Sequence, residues 1–150
     1  MVLDLNLTEE DALEKVGEIN RKNSFVIAGN SRDPTFFYMS LDALVARFIP
    51  RDFADLHEQH VRKPRDVAIE NAGQHGGASV SVFEAYSPTA LFVVVADNGK
   101  GFDAAEAVKK FYDGRRYYHV GGDGFKIMHE SKARVGFNEK GNKTLILYEI

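Results

Sequence analysis

The seven residues Ala90-Leu91-Phe92-Val93-Val94-Val95-Ala96 limit how this chain folds more than any other stretch. A near-continuous apolar run of that length, rich in β-branched side chains, suits a central strand of a sheet. Just upstream, Ala78 to Tyr86 alternates apolar and polar residues with period two, the pattern of a half-buried strand, and Ser87-Pro88-Thr89 reads as the turn between them. At the end of the chain, Arg134–Phe137 and Thr144–Ile150 read as a closing hairpin around Asn138 to Asn142. Phe25 to Ala28 is a further short strand, closed by the turn-rich segment Gly29 to Pro34.

Between these strands the apolar spacing is helical. Residues 9–22 carry Leu13, Val16 and Ile19 behind Thr8 as cap and three acids in the first turn. Residues 40–49 place Leu41, Leu44, Val45 and Phe48 on one stripe behind Ser40, and Pro50 ends it. Phe53, Leu56 and His60 suggest another helix interrupted before Pro64, and Pro64 suits the first turn of a helix over 65–75. Further helices are expected over 104–112 and over Phe125–Ala133. Helices first, then strands broken by helices, imply an α+β fold. The expected architecture is a two-layer sandwich with a mostly antiparallel mixed sheet and helices on one face. At 150 residues the chain is one domain, with residues 1–23 as an N-terminal helical addition.

Composition removes several function classes. There is no cysteine, which excludes disulfides, thiolate-bound metal and a thiol nucleophile. A net charge of −3 supplies no global field for nucleic acid or an anionic membrane. No apolar run approaches the roughly 20 residues of a spanning helix, and the start carries acid where a secretion signal carries base. The expectation is a soluble, cytoplasmic protein that binds neither nucleic acid nor membrane.

Three segments carry chemistry. Asn71-Ala72-Gly73-Gln74-His75-Gly76 closes a helix, Asp97-Asn98-Gly99-Lys100-Gly101-Phe102 follows the apolar strand, and Gly121-Gly122-Asp123-Gly124-Phe125 opens a helix. A carboxylate at a strand tip can accept a hydrogen bond from an exocyclic amine. Gly99 and Gly101 allow close approach and positive φ beside a bound ring or sugar. Glycines at a helix start expose free amides to phosphate. Asn71 offers a neutral oxygen that suits Mg²⁺ shared with phosphates. Gly141-Asn142-Lys143-Thr144 is a weaker fourth segment. His57 and His60, three apart, lack a third ligand nearby and read as surface or interface histidines. Tyr112, Tyr117 and Tyr118 beside Arg115 and Arg116 read as packing over a ligand or partner.

In these motifs the chain resembles the Bergerat-fold ATPases, the superfamily that includes sensor histidine kinases and gyrase. Within it, the chain is most similar to the bacterial serine/threonine kinases that act as anti-sigma factors. Asn71 to Gly76 matches an Asn-Ala-x-x-His-Gly box, Asp97 to Phe102 an Asp-x-Gly-x-Gly-Phe box, and Gly121 to Met128 a glycine-rich box. Gly141 to Thr144 matches a Gly-x-Thr with one extra residue. The resemblance covers about residues 24–150.

It implies ATP (or ADP) and Mg²⁺ as cofactors. Asp97 would bind the adenine amine, Asn71 the metal, and Gly99 and Gly101 would shape the nucleoside pocket. Gly122 and Gly124 would face phosphate, Thr144 would lie behind adenine, and His75 belongs to the first box. Residues 103–120 would form a lid, with Lys109, Lys110, Arg115 and Arg116 near phosphate. A protein partner, a sigma factor or an anti-anti-sigma-like protein, and a homodimer are implied as well.

Kinases of this kind carry a glutamate base four residues before the asparagine, where this chain has Val67. Asp66 and Glu70 are the remaining candidates, pointing roughly 140° and 100° away on an ideal helix. A shifted register would pair Glu70 with Gln74. The alternatives to a kinase are therefore a catalytically impaired nucleotide-binding module, or the catalytic half of a split histidine kinase.

Overall fold

A computed structural model describes residues 3–30, 34–75, 79–114 and 122–150, with side chains at 34–36, 74–75, 122–123 and 125 outside that description. The sheet has five strands: β1 (Ser24–Asn30), β2 (Ser79–Ser87), β3 (Ala90–Asp97), β4 (Arg134–Phe137) and β5 (Lys143–Glu149). They lie in the order β1-β2-β3-β5-β4, so the apolar run occupies the centre. Every neighbouring strand pair is antiparallel. The expected mixed character reduces to one parallel bridge, Leu3 with Val135.

The period-two pleat divides β3 between two cores. Leu91, Val93 and Val95 face the larger one, beneath α2 (Pro34–Phe48), α4 (Lys63–His75), α5 (Ala104–Tyr112) and α6 (Gly122–Glu130). Ala90, Phe92 and Val94 face a smaller one, closed by Ala12 and Val16 of α1 (Glu9–Val16). The α+β class with a helical layer on an antiparallel sheet is therefore present, but the helices do not all lie on one face. The N-terminal helix seals the second face of the same sheet.

Local chemistry explains where the elements begin and end. Thr8 Oγ1 accepts the Asp11 N–H at 3.1 Å and starts α1. Gly17, with φ 88°, stops it six residues before the expected end. The helix α2 starts at Pro34, inside what reads as a turn, because proline suits a first helical position. The chain does not break before Pro64. A short α3 (Arg51–Leu56) runs through a π-helical segment, His57–Arg62, into α4. A wide turn just ahead of Pro64 is where the ring and the missing N–H are most easily accommodated. Among the described residues, no helix is long and apolar enough to cross a membrane.

The β4 edge is covered by the N-terminal segment. Asp4 donates its N–H to Val135 O at 2.7 Å, and its carboxylate takes Arg134 at 2.8 Å. The hydrogen bond from Arg134 holds the Asp4 carboxyl below its ordinary value, against the opposing effect of burial. A depressed carboxyl adds stability above its unfolded pKa of roughly 3.9, and that stability is lost as pH falls through the lower folded value. Asp4→Asn is expected to cost about 1 kcal/mol at pH 7, and progressively less as pH falls below roughly 3.9. Thermal unfolding across a series of pH values from 7 downward checks this.

Candidate functional site

The tip of β3, the middle of α4 and the start of β5 meet at one small cavity. Ala68, Asn71 and Ala72 of α4 line it, with Val95 and Asp97 of β3, Gly101 and Phe102 after β3, and Gly141, Asn142 and Thr144 around β5. Asn71, Asp97, Gly101 and Thr144, expected from separate segments, thus share one wall-to-wall space. Its free volume is about 20 Å³, on the scale of one water. A ring enters only if the walls part.

Asp97 is half-buried at the strand end. Its backbone N–H donates to Asn142 O at 3.0 Å, and its Oδ1 accepts the Gly99 N–H at 2.7 Å. The second carboxylate oxygen has no protein partner among the described residues. Gly99 thus orients the acid through its N–H, and positive φ is found at Gly101 and not at Gly99.

Gly101 has φ +78° and Gly141 φ +75°. A Cβ on Gly101 would overlap the Lys140 carbonyl, and one on Gly141 would overlap the Phe102 carbonyl. The two glycines let the loop after β3 and the β4–β5 hairpin lie backbone against backbone, with close approach between chain segments. Thr144 sits opposite Val95 in the β3–β5 register.

Asn71 lines the cavity, and among the described residues no protein group pairs with its amide. A neutral amide oxygen on the cavity wall is the kind of hard donor that a Mg²⁺ ion accepts, since that ion takes few protein ligands and keeps several waters. No group of three or more histidines, aspartates or glutamates capable of holding a metal occurs among the described residues.

Val67 is 7% exposed and belongs to the larger core. A Cβ on Gly124 would lie 3.1 Å from Val67 Cγ1, so that glycine lets α6 approach α4 closely. Val67 and Asn71 are four residues apart on one helical face, about 6 Å along the axis. The N-terminal turn of α6 thus abuts α4 one turn away from Asn71. Gly122 opens α6. Gly121, the side chains of Gln74 and His75, and residues 115–120 with Arg115 and Arg116 lie outside the described residues.

Neither remaining base candidate lines the cavity. Asp66 is engaged by Arg65 at 3.0 Å and Arg62 at 3.7 Å. Burial pushes its carboxyl up despite those two cations. Glu70 is exposed, and together with Asp66 it faces Tyr38 of α2. Burial first, and then those two acids, push the Tyr38 phenol well up, so it stays a donor, and it bonds Asp66 O at 3.3 Å. On the lid segment, Lys110 pairs with Glu106 at 3.0 Å, Lys109 is exposed, and Tyr112 packs edge-on to His129.

The histidines differ from expectation. His57 is 3% exposed, and its Nε2–H donates to Glu84 Oε1 at 2.6 Å. His60 donates from Nδ1 to Ser131 O at 2.6 Å and stacks on Tyr148. Neither is a surface residue free for a ligand.

Glu84 also receives Arg65, which is fully buried, at 3.1 Å. Burial disfavours the Arg65 charge, but Glu84 and Asp66 outweigh it and raise its pKa. Sequence reasoning passed over this cluster. The available signal was Glu84 itself, an acid in phase with the inward Val80 and Val82 of β2, which requires a buried partner.

No family model and no curated protein matches the chain.

Proposed function

We propose that this domain binds ATP or ADP with Mg²⁺ in the manner of the Bergerat-type ATPases, and that nucleotide occupancy controls a surface for a protein partner. One observation carries the reading: Asn71, Asp97, Gly101 and Thr144, spread over 74 positions of sequence, line the same cavity. Asp97 supplies a charged acceptor for an exocyclic amine, Val95 and Phe102 supply apolar ring contacts, and Asn71 is the ligand for the metal. Bound Mg²⁺ would neutralise phosphate charge. The chain's similarity to anti-sigma-factor serine/threonine kinases makes a sigma factor or its antagonist the partner class, with a homodimer as the assembly.

Val67 favours a binding module over an efficient kinase. A buried valine packed on Gly124 accepts no proton, and neither Asp66 nor Glu70 reaches the cavity. A split histidine kinase gains nothing from valine there either.

Calorimetric titration with ADP and Mg²⁺ tests the proposal. Micromolar affinity is expected, weakened about 30-fold by Asp97→Asn, in line with the roughly 2 kcal/mol of a hydrogen bond to a charged group. Equal affinity for both proteins removes Asp97 from the site. Rapid ATP turnover abolished by the same substitution removes the binding-module reading.

A further inference from the structure

We infer that the side-chain amide of Asn142 is a base-reading donor in this cavity, aimed at the ring nitrogen beside the exocyclic amine that Asp97 receives. The inference rests on the nucleotide reading above and adds a residue and a base edge to it.

The hydrogen bonds of one loop set the orientation of two side-chain amides. Asn138 Oδ1 accepts two backbone N–H groups, those of Asn142 and Lys143, each at 3.0 Å. A carboxamide nitrogen cannot accept either, so the orientation of Asn138 is fixed by the backbone. Its Nδ2 then faces Asn142 and donates to Asn142 Oδ1 at 2.7 Å. That contact fixes the second amide in turn, because only oxygen can receive it. Asn142 Nδ2 is therefore directed away from Asn138, and no described protein group accepts its hydrogens. It is not a buried orphan either.

Asn142 lines the cavity and receives the Asp97 N–H on its own carbonyl at 3.0 Å. The free amide donor and the free Asp97 oxygen therefore sit on chain segments tied directly together. A donor next to a charged acceptor is the complement of a base edge that sets an amine beside a ring-nitrogen acceptor. Adenine presents two such edges, its amine with N1 on one side and its amine with N7 on the other. Asn138 is a positioning residue: it touches no ligand and sets the orientation of Asn142.

Calorimetry with ADP, 1-deaza-ADP and 7-deaza-ADP, each with Mg²⁺, tests this. The wild-type protein is expected to bind one of the two analogues about five- to tenfold more weakly than ADP, the range of one neutral hydrogen bond. Asn142→Ala is expected to lose the same factor with ADP and to discriminate no further against that analogue, the signature of a direct contact. Asn138→Ala is expected to reduce discrimination part of the way.

Both analogues binding wild type as tightly as ADP, or Asn142→Ala discriminating as wild type does, overturns the inference while leaving the nucleotide site in place. No ADP binding to wild type overturns the site and the inference together. If Asn142→Ala does not melt as a folded protein, the analogue series on wild type decides alone.

Discussion

Replacing Arg65 by methionine is expected to remove about 3–5 kcal/mol of stability, the usual cost of stranding one member of a buried ion pair. Arg65 is fully buried and Glu84 is 1% exposed, so water cannot reach the carboxylate once the guanidinium is gone. His57 would remain as a single donor to it. The loss is a large share of a typical 5–15 kcal/mol total. It should appear as a fall of about 10 °C or more in melting temperature for a domain of this size.

Adding Glu84→Gln should restore a good part of that loss, since glutamine keeps an acceptor for His57 without a buried charge. Arg65→Lys should fall between, because an ammonium cannot span Glu84, Asp66 and Asp42 as the guanidinium fork does. Arg65 stands six residues before Asn71 on α4, so the ion cluster also holds the helix that lines the cavity. A methionine variant that melts within 1 °C of wild type would show that the cluster does not carry this load.

The second large effect is at the cavity floor. Gly101→Ala forces a side chain into a φ of +78° and drives its Cβ onto the Lys140 carbonyl. Left-handed backbone in a non-glycine residue costs about 1–3 kcal/mol, and overpacking adds about 1–3 kcal/mol. The obstacle is backbone, so no side-chain rotation relieves it. The hairpin that presents Asn142 and Thr144 must move away from the β3 loop that presents Asp97. ADP affinity and melting temperature should therefore fall together. Gly17→Ala is the control: φ there is +88°, but nothing lies within 4 Å of the added Cβ, and the position ends α1 on the opposite face of the sheet. It should cost only the strain, with ADP binding unchanged.

Much of the fold was legible because the strong signals were local. The apolar run did form the central strand, and α5 covers 104–112 as expected, since Asp103 Oδ1 caps it on the Glu106 N–H. Less legible were features decided by tertiary partners. The start of α2 at Pro34 depends on Phe37 packing against Gly29, which a turn-rich composition conceals. The continuous helix through Pro64 depends on a π-helical segment whose His57 and His60 are anchored by Glu84 and Ser131.

At the candidate site, glycine spacing and a strand-end acid pointed to Asp97 and Gly101. Asn142 was less visible, because its orientation is set by Asn138 four residues away through a loop bond. The sequence suggested ligand-facing glycines at Gly101 and Gly124, and the structure shows that each also lets backbone or helices come together, as Gly141 does. Residue type reveals that space is needed at a position, and only the fold reveals what fills it.

The central claim, that one adenosine phosphate sits between the strand-end acid and α4, is tested most directly by an amide-resolved NMR titration with ADP and Mg²⁺. Saturable shifts are expected at Ala72, Gly99, Gly101 and Asn142, with α1 on the opposite face of the sheet unmoved. Shifts that cluster on α1 or the outer face of β1 while those four amides stay fixed, or no saturable shift at all, would contradict it.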